Sequence, residues 1–242
     1  MLKAAIEKIC EMSKPIIREV EGRTFHIHDG KADEIRPEVD GPEVLELNSL
    51  EALVKMIKTE AKVLYKSPFY ITIPTHRTVR CFAHPEGDRY YRPFYYNVTA
   101  TDVPGWKAEE TLGFETAMIA LRSRFQHTDD ATYALKLLSD ITNGSKVTYT
   151  DNGIATSVVT KTGVSLQTNE AIRPIVNLKP YRTFQEVEQP SSPFLIRINE
   201  RGILFMEADG GMWKLTARQT IKKFFEEALA DEITDGKVVV AL

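Results

Sequence analysis

The sequence predicts an α+β fold with largely antiparallel sheets and about four helices. Three observations carry that prediction. Helical and extended patterns come in blocks, not in the strict alternation that a parallel sheet requires. Tight-turn signals separate extended runs, as at Glu21-Gly22, Asp151-Asn152-Gly153 and Arg201-Gly202. Apolar residues recur at helical spacing in stretches such as Leu50 to Ala61 and Trp213 to Leu229.

In chain order, residues 2–13 read as a short helix, with Leu2, Ala5, Ile6, Ile9 and Met12 on one face and Pro15 as its stop. Ile16 to Val20 and Thr24 to His28 form a hairpin, and the Asp-, Glu-, Gly- and Pro-rich residues 29–43 form a loop. Asn48 with Glu51 predicts a capping box for a helix bearing Leu50, Leu53, Val54, Ile57 and Ala61. Phe69 to Ile73, Arg77 to Ala83 and Pro93 to Thr99 are extended, with Pro85 to Asp88 as a turn. Residues 101–113 hold loop formers. Phe114 to Phe125 follows as a helix, then a second one that Thr128 caps and Asn143-Gly144 ends. Val147 to Thr150 pairs with Ile154 to Thr160 as a hairpin. Ile172 to Leu178, Phe194 to Asn199 and Ile203 to Glu207 are further strands. A helix with Trp213, Ala217, Ile221, Phe224, Ala228 and Leu229 on one side precedes a last strand at Val238 to Val240.

The composition is that of a globular chain: 43% hydrophobic and 27% charged, with a net charge of -3. That balance argues against a binder of bulk duplex DNA, which is ordinarily basic. The break at 101–113 predicts two regions, 1–110 and 111–242. Charge does not mark the division, since residues 1–112 hold 16 basic and 18 acidic groups and the rest 15 and 16. No apolar run is long enough for a membrane helix, and the charged N-terminal pattern is not that of a signal peptide. Two cysteines make no disulfide framework. The expectation is a cytoplasmic protein without a membrane partner.

Residues 65–96 hold nine of the 22 aromatics, interleaved with Lys66, Arg77, Arg80, Arg89 and Arg92. Aromatic faces stack on bases and guanidinium groups hold phosphate. Arg89, Tyr90, Tyr91 and Arg92 are the candidate ligand contacts there; the same residues also suit a sheet interface. Residues 19–51 carry ten acidic and three basic groups, which disfavours a long polyanion and tilts the reading toward a small nucleotide or a protein partner. His26 with His28, and His76 with Cys81 and His84, have no standard zinc spacing, so neither a metal nor a cofactor is expected. Hydrolytic, Walker A and dinucleotide motifs are absent, and no catalytic residue is assigned. Glu207 and Asp209 could share a strand face as paired carboxylates, or Asp209 could cap a helix. Gly210 and Gly211 open that helix, with Lys214 beyond, and form a candidate anion cradle or simply a tight turn. Tyr181 and Arg182, flanked by prolines, form a third candidate, either for an anion or for bracing the loop.

Taken in order, Lys161-Thr162-Gly163-Val164, Pro180-Tyr181-Arg182-Thr183-Phe184, Gln189-Pro190, Phe194 with Arg197, and Glu207 to Gly211 with Trp213 resemble the C-terminal half of a YfdQ-like family of phage and prophage proteins of unknown function. The resemblance covers residues 114–230. It implies a non-virion product of phage early genes, located in the host cytoplasm, and it brings no catalytic residues. The expected function is non-enzymatic binding in host takeover or anti-defence, by sequestering a nucleotide signal or blocking a host protein. One alternative is an accessory of phage recombination or replication that binds single-stranded DNA. Another is a metal-dependent nucleotide hydrolase. A homodimer is expected, with strands such as Phe194 to Glu207 pairing across a two-fold axis.

Overall fold

A computed structural model describes residues 2–12, 16–28, 30–35, 43–60, 68–85, 92–106, 109–143, 147–151, 156–160, 173–199 and 201–242. The chain is α+β, and it divides into two compact units, Met1–Gly41 and Pro42–Leu242. The expected region boundary at 110/111 falls inside the second unit.

The first unit holds α1 (Leu2–Met12) and an antiparallel meander of β1 (Ile16–Val20), β2 (Arg23–His28) and β3 (Lys31–Ile35). The third strand corrects the loop expected over 29–43. Its sequence, Lys-Ala-Asp-Glu-Ile, has Ile35 as its one strand former. A solvated meander takes polar residues because its ladder, not a core, holds the strand, and every β3 residue is exposed or partly so.

The second unit contains β4 (Leu45–Leu47), α2 (Leu50–Glu60), β5 (Phe69–Thr75), β6 (Thr78–Phe82), β7 (Phe94–Thr99), β8 (Thr111–Leu112), α3 (Phe114–Arg124) and α4 (Asp129–Asn143). It continues with β9 (Val147–Asp151), β10 (Thr156–Thr160), β11 (Ile175–Leu178), β12 (Ser192–Asn199), β13 (Gly202–Glu207), α5 (Trp213–Ala228), α6 (Ala230–Thr234) and β14 (Val238–Ala241). β9 and β10 pair as the expected hairpin.

Five strands form one sheet in the order β14-β5-β6-β7-β4, antiparallel at its centre and parallel at both edges. Alternation along β5 to β7 sends Phe69, Ile71, Ile73, Val79, Cys81, Tyr96 and Val98 to one face. There they meet Leu50, Leu53 and Ile57 of α2 and Ile221 and Phe225 of α5. The cap of α2 is Ser49, whose Oγ accepts the Ala52 N–H at 3.2 Å, so the expected Asn48 cap is displaced by one residue. The Leu50 N–H donates to Glu186 Oε1 at 2.9 Å.

Four strands form the second sheet, β11-β12-β13-β8. Val176, Phe194, Ile196, Ile203 and Phe205 pack against Ala117 and Leu121 of α3 and Ala134 and Leu138 of α4. Thr128 caps α4 as expected, through the Ala131 N–H at 3.1 Å. The strands β12 and β13 each have an outer neighbour over part of their length, β11 along Ser192 to Leu195 and β8 along Ile203 and Leu204. Among the described residues, no helix is long and apolar enough to cross a membrane.

Candidate functional site

Two constellations emerge, one closed and one open. The closed one gathers the C-terminal motifs. Arg182 is 4% exposed. Its guanidinium donates to Glu207 Oε1 at 2.8 Å and to the Ser192 hydroxyl, and it lies 4.2 Å from the Trp213 ring centroid. The other Glu207 oxygen accepts the Trp213 Nε1–H at 3.2 Å. Gln189 Oε1 takes the backbone N–H groups of Arg182 and Thr183, at 2.9 and 3.2 Å. Arg77 Nε donates to the Arg182 carbonyl at 3.0 Å, and His76 sits edge-on to Trp213 with centroids 4.7 Å apart. Burial lowers the Arg182 pKa to about 10, against the pull of Glu207 and Asp209, so it stays charged at neutral pH. Burial, then Arg77, Lys214 and Arg182, push His76 down to about 4, which leaves it neutral there.

Gly210 and Gly211 take the left-handed conformation, φ +62° and +82°, as a tight strand-to-helix turn requires. Asp209 occupies the anion position. Its Oδ1 accepts the Gly211 N–H at 2.9 Å and its Oδ2 the Trp213 N–H at 3.1 Å. The candidate cradle therefore already holds a carboxylate of this chain. Lys214 is exposed, with Nζ 5.7 Å from the Trp213 centroid. Tyr181 is half-buried and tied to Arg124 by a backbone hydrogen bond of 2.9 Å. Arg182 and Trp213 thus join the loop after β11 to β12, β13 and α5, and little of either side chain reaches solvent.

The open constellation is the other face of the five-stranded sheet. Tyr70 pairs with Phe82, and Phe82 with Phe94, so three aromatics form a row across β5, β6 and β7. All three are partly exposed, and Phe82 and Phe94 stack with centroids 4.9 Å apart. The register shift between Cys81 and Phe82 leaves Tyr95 as an extra residue in β7. That bulge puts Phe94 on the same face as Asn97, and Tyr95 meets Phe69 edge-on instead. Arg92 lies over Tyr70 at 4.5 Å and donates to the Ala83 carbonyl at 3.2 Å. His84 stacks on Tyr70, its Nδ1 3.1 Å from the phenol oxygen. One step along the strands, a polar row runs Thr72, Arg80, Asn97, Glu46. Arg80 is exposed, and Asn97 donates to Glu46 at 2.8 Å.

Of the candidate residues, Arg92 alone belongs to this face; Arg89, Tyr90 and Tyr91 lie outside the described residues. Tyr70, Phe82, Phe94 and Arg80 lie in the aromatic and basic stretch of residues 65–96, but the sequence does not single them out as contacts. Alternation within β5 and β6 would have placed Tyr70, Phe82 and Arg80 together, but the bulge that adds Phe94 has no signal in sequence. His76, Cys81 and His84 do not converge: His76 meets Trp213, Cys81 points into the core and His84 lies on Tyr70. Burial, with Glu60 nearby, pushes the Cys81 thiol far up and keeps it protonated. Among the described residues, no three His, Cys, Asp or Glu side chains are grouped to hold a metal.

Comparison with protein-family models, curated proteins and solved structures finds no match to this chain.

Proposed function

We propose that the protein is a non-enzymatic binder of single-stranded nucleic acid and that the open face of the five-stranded sheet is its binding surface. The observation that carries this reading is the Tyr70–Phe82–Phe94 row between Arg92 on one side and Arg80 on the other. Aromatic rings stack on any unpaired base, and arginines beside them meet the phosphates. Duplex bases, already stacked, gain nothing from such a row. A flat face also suits a strand better than a free nucleotide, which is ordinarily held in a concave pocket. The clefts of about 310, 590 and 650 Å³ are lined by other residues.

In the phage setting that the sequence resemblance implies, this activity serves recombination or replication of phage DNA. The competing reading is capture of a nucleotide signal or a host protein in anti-defence, and it requires no affinity for oligonucleotides. Fluorescence anisotropy separates the two. A labelled oligothymidylate of about 20 nucleotides binds more tightly than a duplex of equal length, and the affinity falls between about 50 and 200 mM salt. If the single strand stays unbound at the lower salt, the reading is wrong.

A further inference from the structure

The two rows on the open face differ in chemistry, and that difference fixes how a strand can lie. The first row is Val239, Tyr70, Phe82 and Phe94, from β14 to β7. The second is Ala241, Thr72, Arg80 and Asn97, ending at Glu46 of β4. Both rows run perpendicular to the strands, because their members are cross-strand partners. A base needs a flat apolar surface, and a phosphate needs a cation that is not already engaged.

The two arginines beside the aromatic row are not equivalent. The Arg92 guanidinium is committed to the Tyr70 ring and the Ala83 carbonyl. The Arg80 side chain is exposed and has no hydrogen-bond or ion-pair partner among the described residues. The Glu46 carboxylate, bound to Asn97, closes the polar row with a negative charge that repels phosphate.

Resting on the reading above, we infer that a bound strand crosses β6 and β7 at right angles, with its bases over Phe82 and Phe94, beside the Tyr70 ring that Arg92 and His84 already cover, and its backbone along the polar row. Arg80 makes the phosphate contact there, and Arg92 is a positioning residue that holds the Tyr70 ring. Phe82 and Phe94 stand on adjacent strands about 4.8 Å apart, which gives room for about two bases, one over each ring. The ligand class is therefore a short single-stranded segment, read by stacking and not by base-edge hydrogen bonds.

Salt-dependent titration of oligothymidylate tests this orientation against its reverse. Each phosphate contact on a single strand contributes about 0.7 to the slope of log affinity against log salt. Arg80→Ala is expected to reduce the slope by about that amount. Phe82→Ala is expected to weaken binding about 5- to 100-fold at every salt with the slope unchanged. Phe82→Leu keeps an apolar side chain in the sheet but removes the ring, so its weakening is due to stacking and not to unfolding. Arg92→Ala leaves the slope unchanged, because its cation sits on a ring. If Arg92→Ala lowers the slope and Arg80→Ala does not, the backbone runs along the other side and the inference is overturned. Unchanged affinity in Phe82→Leu overturns it as well. Complete absence of binding by the unaltered protein is a different failure, that of the single-strand reading itself.

Discussion

Arg182 combines three roles in one side chain: it pairs with Glu207, bonds Ser192 and covers the Trp213 ring. Replacing it with alanine leaves Glu207 without its cation and opens a gap beside Trp213. The expected cost is about 3–5 kcal/mol, read from urea unfolding. Arg182→Lys keeps the charge but loses the planar stack and the second hydrogen bond, so it should fall between wild type and Arg182→Ala. His76, next to the same indole, makes stability depend on pH. Unfolded, it takes a proton near 6.5; folded, near about 4. Between those values the unfolded chain binds more protons, so this contribution is full above 6.5, shrinks as pH falls, and is gone below 4. At pH 5 the loss is about 1–2 kcal/mol. His76→Gln should therefore lose less stability than wild type between pH 7 and 5, and equal losses would refute the assignment. The sequence singles out Arg182, the Gly210-Gly211 pair and Trp213, and it offers Asp209 as a helix cap, but it does not show what satisfies Arg182. Its partners Gln189 and Ser192 emerge only with folding, whereas Asp209 fills the anion position as the capping alternative has it.

Elements with a strong local pattern match expectation closely. α2 buries Leu50, Leu53 and Ile57, and α5 buries Trp213, Ala217 and Ile221, because a one-sided apolar stripe has a single way to meet a sheet. Elements set by remote pairing do not. β8 is two residues long and exists because β13 supplies its partners, with Ile203 opposite Leu112. Gly202 shows how tight that junction is. Its φ is +144°, and a Cβ placed there would lie 2.0 Å from the Leu112 carbonyl oxygen. Gly202→Ala must shift backbone, and it is expected to destabilise by about 3 kcal/mol or more. Gly210, at φ +62°, has no atom within 4 Å of an added Cβ. Gly210→Ala is therefore expected to cost only the left-handed strain, about 1–2 kcal/mol. Similar losses for the two in thermal or urea unfolding would mean that the Leu112 contact carries no energy.

At the scale of the molecule, the net charge of -3 does not describe any one surface. Of the ten acidic residues between 19 and 51, seven precede Gly41 and so belong to the first unit, while Arg80 and Arg92 flank an aromatic row in the second. An average over both hides that difference. The expected division at 110/111 rests on loop composition, and chain order alone hides how the second unit closes. After residue 111 the chain sends Phe184, Val187, Ile221, Phe225, Leu229 and Val238 back beneath the first sheet, and β14 pairs in parallel with β5. No local pattern signals a pairing over that separation. Six buried apolar side chains at about 1.5–3 kcal/mol each equal the whole stability of an ordinary domain. A fragment of residues 1–110 therefore lacks six of the seventeen buried residues of that core and should show no cooperative melt. Residues 42–242 hold both cores complete and should unfold cooperatively while keeping the oligonucleotide affinity of the full chain. A cooperative transition in the 1–110 fragment, followed by circular dichroism, would show that α5 and β14 are dispensable to the sheet they complete.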